Sequence, residues 1–328
     1  MRKYIKHFIL LFIFIALTCS THAHAKESKK KFLNIGTGSI TGIYYPIGST
    51  MCRLLAQDSN KGKIICSVAS TTGGAYNINS MRNDDFDIGI AQSDWEYIAY
   101  NGGGVSKLKP MHDLRLLFSM HKEYFTLVAR KGSNINTVND IKSRRVNIGA
   151  PGTGVRSMMT ALMDVNNWTK KDFAVTSELK TSEQAQALCD NKIDVMADVI
   201  GHPNGTMQEV TYSCDTVFIP IDDKNIERLQ EKYPYYKSGV IPGNIYRGNS
   251  QSTKTIAVYA SLLTKSNLDE DIAYELVKNV MNNLDELRNI SGALSNLQKE
   301  DMIKENFAPL HDGAKKYYQE IGLLKIDG

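Results

Sequence analysis

The sequence has 328 residues, of which 42% are hydrophobic, 23% charged and 9% aromatic. This composition is typical of a globular protein and excludes a disordered chain, a collagen and a scaffold held by disulfides alone. The length predicts two domains of about 150 residues each. The formal net charge is +4, and it falls to +1 without the first 25 residues, which carry three basic and no acidic residues. A nearly neutral chain without basic blocks is a poor binder of nucleic acid or of an anionic membrane.

Residues 1–25 have the features of a secretory signal peptide. Basic residues precede an apolar run at 8–18, which is shorter than the roughly 20 residues that a membrane span needs. Ala23-His24-Ala25 then offers a small-x-small cleavage site. An uncleaved anchor is the alternative, and Cys19 lacks the residues that usually precede a lipoprotein cysteine. We therefore expect cleavage after Ala25 and an exported, periplasmic protein.

The cysteines that follow the signal peptide favour an oxidising compartment. They are Cys52, Cys66, Cys189 and Cys214. An even number permits two disulfides in any of three connectivities, and four buried thiols are the alternative. We favour 52–66 and 189–214, because pairing near neighbours keeps each bridge within one helix-to-strand unit. No C-x-x-C motif occurs, so zinc or thioredoxin-type redox chemistry is not indicated.

Alternating strand and helix patterns begin directly after the signal peptide. In chain order they are a strand at 32–36, a helix with Ile47, Met51, Leu54 and Leu55 on one face, a strand at 64–68, a helix at 76–82 and a strand at 87–91. This βαβαβ pattern favours a parallel sheet with right-handed crossovers.

Two long apolar runs, 114–120 and 125–130, predict a pair of strands that leave this first unit. A second series of strands and helices follows. In chain order it comprises a strand at 146–148, a helix through Val155, Met159, Leu162 and Met163, an extended run at 173–179, a helix through Ala185 and Leu188, and strands at 193–197 and 216–220. A long strand at 256–263 and a helix that Ser266 and Asp269 can cap complete the pattern.

Two α/β units joined by two crossings predict a bilobed clamshell. We place lobe 1 at 26–125 plus 250–328 and lobe 2 at 126–249, each a mostly parallel sheet flanked by helices. In α/β sheets the ligand binds outside the carboxyl ends of the strands, so the loops at those ends are the first place to look for a site.

The loop at 36–42 follows the first strand and opens a helix. Its glycines miss the G-x-G-x-x-G spacing of a dinucleotide site, because position 41 is threonine, so NAD binding is not indicated. Exposed N–H groups and the helix dipole still favour an anion there, beside the hydroxyls of Thr37, Ser39 and Thr41. A tight turn that binds nothing is the alternative.

Other strand-end segments share this small, polar character. Residues 70–74 (STTGG) lie in the same predicted lobe, and residues 151–156 (PGTGVR) lie in the other. Arg156 suits a carboxylate beside a helix N-terminus, although a lone arginine is more often a surface ion-pair partner. Gln92-Ser93-Asp94 follows the strand at 87–91. Because strand tips from both lobes are involved, we predict that these segments line one crevice.

Signatures of an enzyme or a metal site are scarce. Four histidines follow the signal peptide, and His112, His121, His202 and His311 have neither HExxH nor a related zinc spacing. No G-x-S-x-G elbow and no Walker A loop occurs. We therefore predict no catalytic residue, no metal and no cofactor.

Segments along the whole mature chain share the pattern of one family. They read IGTGSITGIYYPIG, CSVASTTGG, FDIGIAQSDWEYIAYNG, NIGAPGTGVR, AQALCDNKIDVMADVIGHPN, KYPYYKSGVIPGNIY and PLHDGAKKYYQEIG. In this order they closely resemble the TAXI-type solute receptors of TRAP transporters. The resemblance implies a periplasmic binding protein of the two-lobed, type II α/β kind. It would capture a small organic anion, a glutamate-like amino acid or a dicarboxylate, and deliver it to sodium-driven membrane permease subunits; we expect a monomer.

The same resemblance implies a ligand site. Carried over by position, its residues are Ser39, Tyr44, Thr72, Gln92, Thr153 and Arg156. Arg156 would hold the ligand carboxylate and Tyr44 would form an aromatic wall with a polar tip. The three hydroxyl residues would add hydroxyl or loop N–H bonds. The cysteine pairs 52/66 and 189/214 also match positions that the family's motifs suggest for disulfides.

Two other functions stay open at the level of the sequence. An exported enzyme acting on a small carboxylic acid would need a general base or a nucleophile in the crevice, where the loops offer mainly hydroxyls, an amide and Arg156. The receptor of an ATP-driven importer would share the same fold, and an ATPase gene beside its own would mark it.

Overall fold

The computed structural model describes residues 31–57, 64–103, 108–304 and 306–325, so the predicted signal peptide lies outside the described residues. The strands are β1 (Lys31–Gly36), β2 (Ile64–Ala69), β3 (Ile88–Gln92), β4 (Leu114–Arg130), β5 (Arg145–Asn147), β6 (Val175–Ser177), β7 (Val195–Ile200), β8 (Thr216–Ile219), β9 (Lys237–Ile241) and β10 (Thr253–Lys265). The helices are α1 (Tyr44–Gln57), α2 (Gly74–Arg82), α3 (Ser93–Asn101), α4 (Gly154–Val165), α5 (Thr181–Cys189), α6 (Gly205–Ser213), α7 (Asp223–Lys232), α8 (Glu270–Asn282), α9 (Leu284–Arg288) and α10 (Asp312–Glu320). Within these ranges, no helix combines the length and the apolar character that crossing a bilayer requires.

The strands form one mixed, curled sheet flanked by helices, as the predicted α/β class requires. Its main path runs β2-β1-β3-β10-β4-β7-β5-β6, with β8 paired to β4 and β9 paired to β10. Strand β1 is parallel to β2 and β3, and β5 is parallel to β6 and β7. We call β1–β3 with α1–α3 the first half, and β5–β7 with α4 and α5 the second half. The long antiparallel strands β4 and β10 lie between the two halves.

Strand β4 corrects the predicted pair of strands at 114–120 and 125–130. It is one strand of 17 residues. The polar residues 121–124 interrupt the apolar run and therefore suggested a break. The chain nevertheless stays extended through them, because His121 and Glu123 are buried and lie beside each other on one face.

The helices cover the sheet with the apolar faces that the periodicity predicted. Helix α1 buries Ile47, Met51, Leu54 and Leu55, the four predicted residues. Burial of such side chains contributes roughly 1.5–3 kcal/mol each. Helix α8 begins at Glu270 and is capped by Asp269, which accepts hydrogen bonds from two backbone N–H groups, so the other predicted cap, Ser266, lies before the helix.

Both favoured disulfides are present. Cys52 on α1 pairs with Cys66 on β2, and their Cα atoms are 5.2 Å apart. Cys189 at the end of α5 pairs with Cys214, just after α6, at a Cα separation of 5.6 Å. Each bridge therefore ties a helix to the element that packs next to it.

Candidate functional site

The loops that follow β1, β2 and β3 are held together as one unit by Asn77. This fully buried side chain donates to the backbone oxygens of Thr37, at 2.6 Å, and Ile90, at 2.7 Å. Its oxygen accepts a hydrogen bond from the Thr71 hydroxyl at 2.8 Å. The Thr71 backbone N–H in turn donates to the oxygen of Gly38. Three parallel strand tips thus form a rigid edge on the first half.

This edge meets the N-terminus of α4 in the second half. Gly154 packs so closely on the Gln92 side chain that an added Cβ would overlap its amide group. A Cβ placed on Gly152 would lie 4.0 Å from that of Ala75. The Ser157 hydroxyl interacts with the Asp94 carboxyl across the same gap. We call this contact zone the seam.

Aromatic rings extend the seam on the side of α3. The ring of Tyr97 lies 5.2 Å from that of Tyr235 and 5.4 Å from that of Phe307, measured between centroids. Tyr235 also stacks edge-on against Tyr236 at 4.7 Å. The Asp94 charge and burial, with burial the larger cause, raise the pKa of Tyr236 well above its usual value. Tyr236 therefore lies within electrostatic range of Asp94.

Glu123 lies at the centre of the seam. Its side chain comes from β4, is 4% exposed and accepts a hydrogen bond of 2.5 Å from the Gln92 amide. The other carboxylate oxygen lies 3.3 Å from Nε2 of the buried His121. Burial, followed by the Glu123 charge and its hydrogen bonding, raises the pKa of the Tyr44 hydroxyl well above its usual value. Glu123 is thus surrounded by Gln92, His121 and Tyr44.

Asp94 lies in the first turn of α3 and is fully buried. Burial raises the pKa of its carboxyl to about 6, although hydrogen bonds from Ser157 and from the Trp95 backbone act in the opposite direction. The charge on Glu123 adds to the increase. A carboxyl with this pKa changes its charge near neutral pH.

Asp198 is a further buried carboxyl and comes from β7. Burial raises its pKa to about 7; the Val199 N–H and Gln184 lower it and the Glu123 charge raises it. Gln184 is itself held by a hydrogen bond of 2.8 Å from Asn147, at the end of β5. Asp198 therefore belongs to the strand tips of the second half. We call Asp94, Glu123 and Asp198 the carboxylate centre.

The structure places two of the six predicted ligand residues, Tyr44 and Gln92, directly at the seam. Ser39 and Thr72 lie on exposed parts of their loops. The Ser39 hydroxyl pairs with that of Thr41 at 3.0 Å. Thr153 caps α4, since its hydroxyl accepts from the Arg156 N–H at 3.3 Å and donates to the oxygen of Ala150.

Arg156 is directed toward its own loop. Its guanidinium donates to the backbone oxygens of Ile148 and Gly149 and forms an ion pair with Glu178 at 2.7 Å. The side chain is 21% exposed. A surface ion pair, the alternative noted for this arginine, describes these contacts. The role of Arg156 as a ligand anchor stays a prediction.

Sequence reasoning included Gln92-Ser93-Asp94 in the crevice but missed Glu123, His121 and Asp198. The sequence does indicate these residues, because polar side chains interrupt two otherwise apolar runs, FSMHKEYFTLV and VMADVI. His121 and Glu123 are two residues apart and therefore share one face of a strand. A charge inside a buried strand is rare without a partner or a function.

Among the described residues, no group of three or more histidine, cysteine, aspartate or glutamate side chains is arranged to hold a metal ion. The seam contains the carboxyl oxygens of the carboxylate centre, the side-chain amide of Gln92 and the imidazole of His121. These groups can bind and orient a small polar molecule.

Among the solved structures that this chain resembles are proteins from studies of import systems. One comes from a study of glutathione import via GshT and the cystine ABC importer TcyBC of Streptococcus mutans; it is 13% identical, with 83% of this chain and 100% of that chain covered and a TM-score of 0.52. The periplasmic aliphatic sulphonate binding protein SsuA from Escherichia coli is 11% identical, with 89% and 84% covered and a TM-score of 0.47. The fold of this chain is therefore similar to that of the structure from the glutathione import study. The model of the NMT1-like family matches residues 35–322, and the chain belongs to this family.

Proposed function

We propose that this protein is an extracytoplasmic solute-binding protein that captures a small organic anion between two lobes and delivers it to a membrane permease. The lobes are 26–125 plus 250–328 and 126–249. The observation that carries the proposal is the seam, where the strand tips of the first half meet the N-terminus of α4 at Gln92 and Gly154. Membership of the NMT1-like family and the fold support it.

Ligand capture would follow from closure of the lobes. A solute that contacts both sides of the seam stabilises the closed arrangement by its differential affinity for it. The helix dipole at the N-terminus of α4 favours negative charge. In this proposal Arg156 shares its guanidinium between Glu178 and the ligand carboxylate, with Ser39, Thr72 and Thr153 as further donors.

The transport partner we propose is a TRAP permease of the TAXI type. The resemblance of the quoted segments, which spans the mature chain, supports it. The receptor of an ATP-driven importer is a second candidate, and it is favoured by the fold shared with a structure from a study of an ABC importer. Both candidates place the protein outside the cytoplasm, in agreement with its two disulfides.

Two measurements test the proposed function. Native mass spectrometry of the purified protein is expected to show a copurifying organic acid, and calorimetry with a panel of organic acids is expected to show one-to-one binding. Uptake by cells that express the protein with its neighbouring permease separates the candidates. Loss of uptake on collapse of the sodium gradient supports a TRAP permease, and dependence on ATP hydrolysis contradicts it.

A further inference from the structure

The carboxylate centre contains three carboxyl groups, and in the described part of the chain fewer basic side chains lie beside them. Asp94, Glu123 and Asp198 are at most 4% exposed. Within the described part of the chain, none of them forms an ion pair with lysine or arginine, and His121 beside Glu123 is the basic side chain in contact. An unpaired buried charge is costly, so a cation from outside the chain would be stabilised beside these carboxyls.

Independent polar atoms at the same place are also unsatisfied. Neither ring nitrogen of His121, which is 4% exposed, forms a hydrogen bond with the described residues. A buried polar group without a hydrogen bond destabilises the folded state. A ligand group rich in N–H donors would give the buried carboxylates partners.

A metal ion is a poor candidate for this role, since the described side chains do not offer three ligands in a common arrangement. An ammonium group fits better, because it donates three hydrogen bonds and tolerates oxygen acceptors on different elements. The acceptors here come from α1 (Tyr44), α3 (Asp94) and β4 (Glu123).

We propose that the captured solute carries a positively charged nitrogen, which binds between Asp94 and Glu123 at the seam. The inference rests on the proposed function and narrows the class of solute that the protein binds. The solute is then a zwitterion or a cation-bearing acid, and a plain dicarboxylate is excluded.

The competing arrangement keeps the Asp94 carboxyl protonated, so that it donates a hydrogen bond to an anionic ligand. The groups that face Asp94 are Tyr44, Glu123, Ser157, Tyr235 and Tyr236. The two arrangements have opposite pH dependences. A cationic nitrogen binds more tightly as pH rises from 5 to 8 and Asp94 ionises, because the pKa of Asp94 is about 6. An anion held by neutral Asp94 binds more weakly over the same range.

The test compares ligand pairs that differ by one amino group. Calorimetry at pH 7.5 measures L-glutamate against glutarate and L-aspartate against succinate, with cadaverine as an amine without carboxylates. At least one amino acid is expected to bind tenfold or more tightly than its amine-free partner. Asp94→Asn is expected to reduce this ratio at least tenfold, while Asp113→Asn, at an exposed position, leaves it unchanged.

Each outcome has a distinct meaning. Equal affinity of the two members of a pair, or tighter binding of the dicarboxylate, overturns the cation site and leaves the proposed function standing. Binding of cadaverine but of no acid supports the cation site and overturns anion capture. Failure of every probe, together with no copurifying solute, contradicts both. The wild-type comparison decides the question even where the Asp94 variant does not fold.

Discussion

Gly154→Ala is expected to weaken ligand binding without loosening the fold. The added Cβ would overlap the Gln92 side-chain amide, which is anchored by its 2.5 Å hydrogen bond to Glu123. The amide can move away only by giving up this buried bond, and overpacking or a lost buried partner costs about 1–3 kcal/mol. If closure at the seam is required for binding, affinity falls by about 5- to 150-fold.

Alanine at position 154 should by itself favour the helix. Gly154 is the first residue of α4, and alanine stabilises helical positions by up to about 1 kcal/mol relative to glycine. In the proposed open, ligand-free state Gly154 and Gln92 are apart, so the melting temperature of the ligand-free variant is expected to stay near that of the wild type. The ligand affinity and the melting temperature, measured on the same variant, distinguish an effect on the seam from a general loss of stability.

Gly205→Ala provides a matched control. Gly205 is the first residue of α6, and a Cβ there would meet no atom within 4 Å. This variant is expected to bind ligand as the wild type does. Calorimetry on both variants checks the prediction, and wild-type affinity of Gly154→Ala would refute the reasoning that the seam closes around the ligand.

Three further predictions concern Arg156, the carboxylate centre and a disulfide. Arg156→Ala should weaken binding of the copurifying acid by about 2 kcal/mol or more in calorimetry, and unchanged affinity would remove Arg156 from the site. The free energy of unfolding, measured in urea, should fall as pH rises from 4 to 7. Burial raises the pKa of Asp198 to about 7, so over this range the folded state binds a proton that the unfolded chain has released. Asp198→Asn should flatten this dependence; an identical slope would contradict it. Cys189→Ser with Cys214→Ser should cost about 3.5 kcal/mol of unfolding free energy for a 25-residue separation, and an unchanged urea midpoint would argue against it.

Local patterns in the sequence were sufficient for much of the fold. The spacing of Ile47, Met51, Leu54 and Leu55 predicted the buried face of α1, because a helix repeats every 3.6 residues. Sequence proximity was enough to pair the cysteines. The small, polar segments at strand ends identified Gln92 and the loops that lie at the seam. These features depend on interactions between residues near each other in the chain.

The carboxylate centre was decided by tertiary structure alone. Its members come from α3, β4 and β7, and the Gln92–Glu123 bond joins residues 31 positions apart. Arg156 likewise has Glu178 as its partner, which no local pattern predicted. Periodicity tells which side of an element is buried, but it carries no information on which elements meet there. Burial of a carboxylate among other acids, and the raised pKa that follows, exists only once the sheet has brought distant strands together.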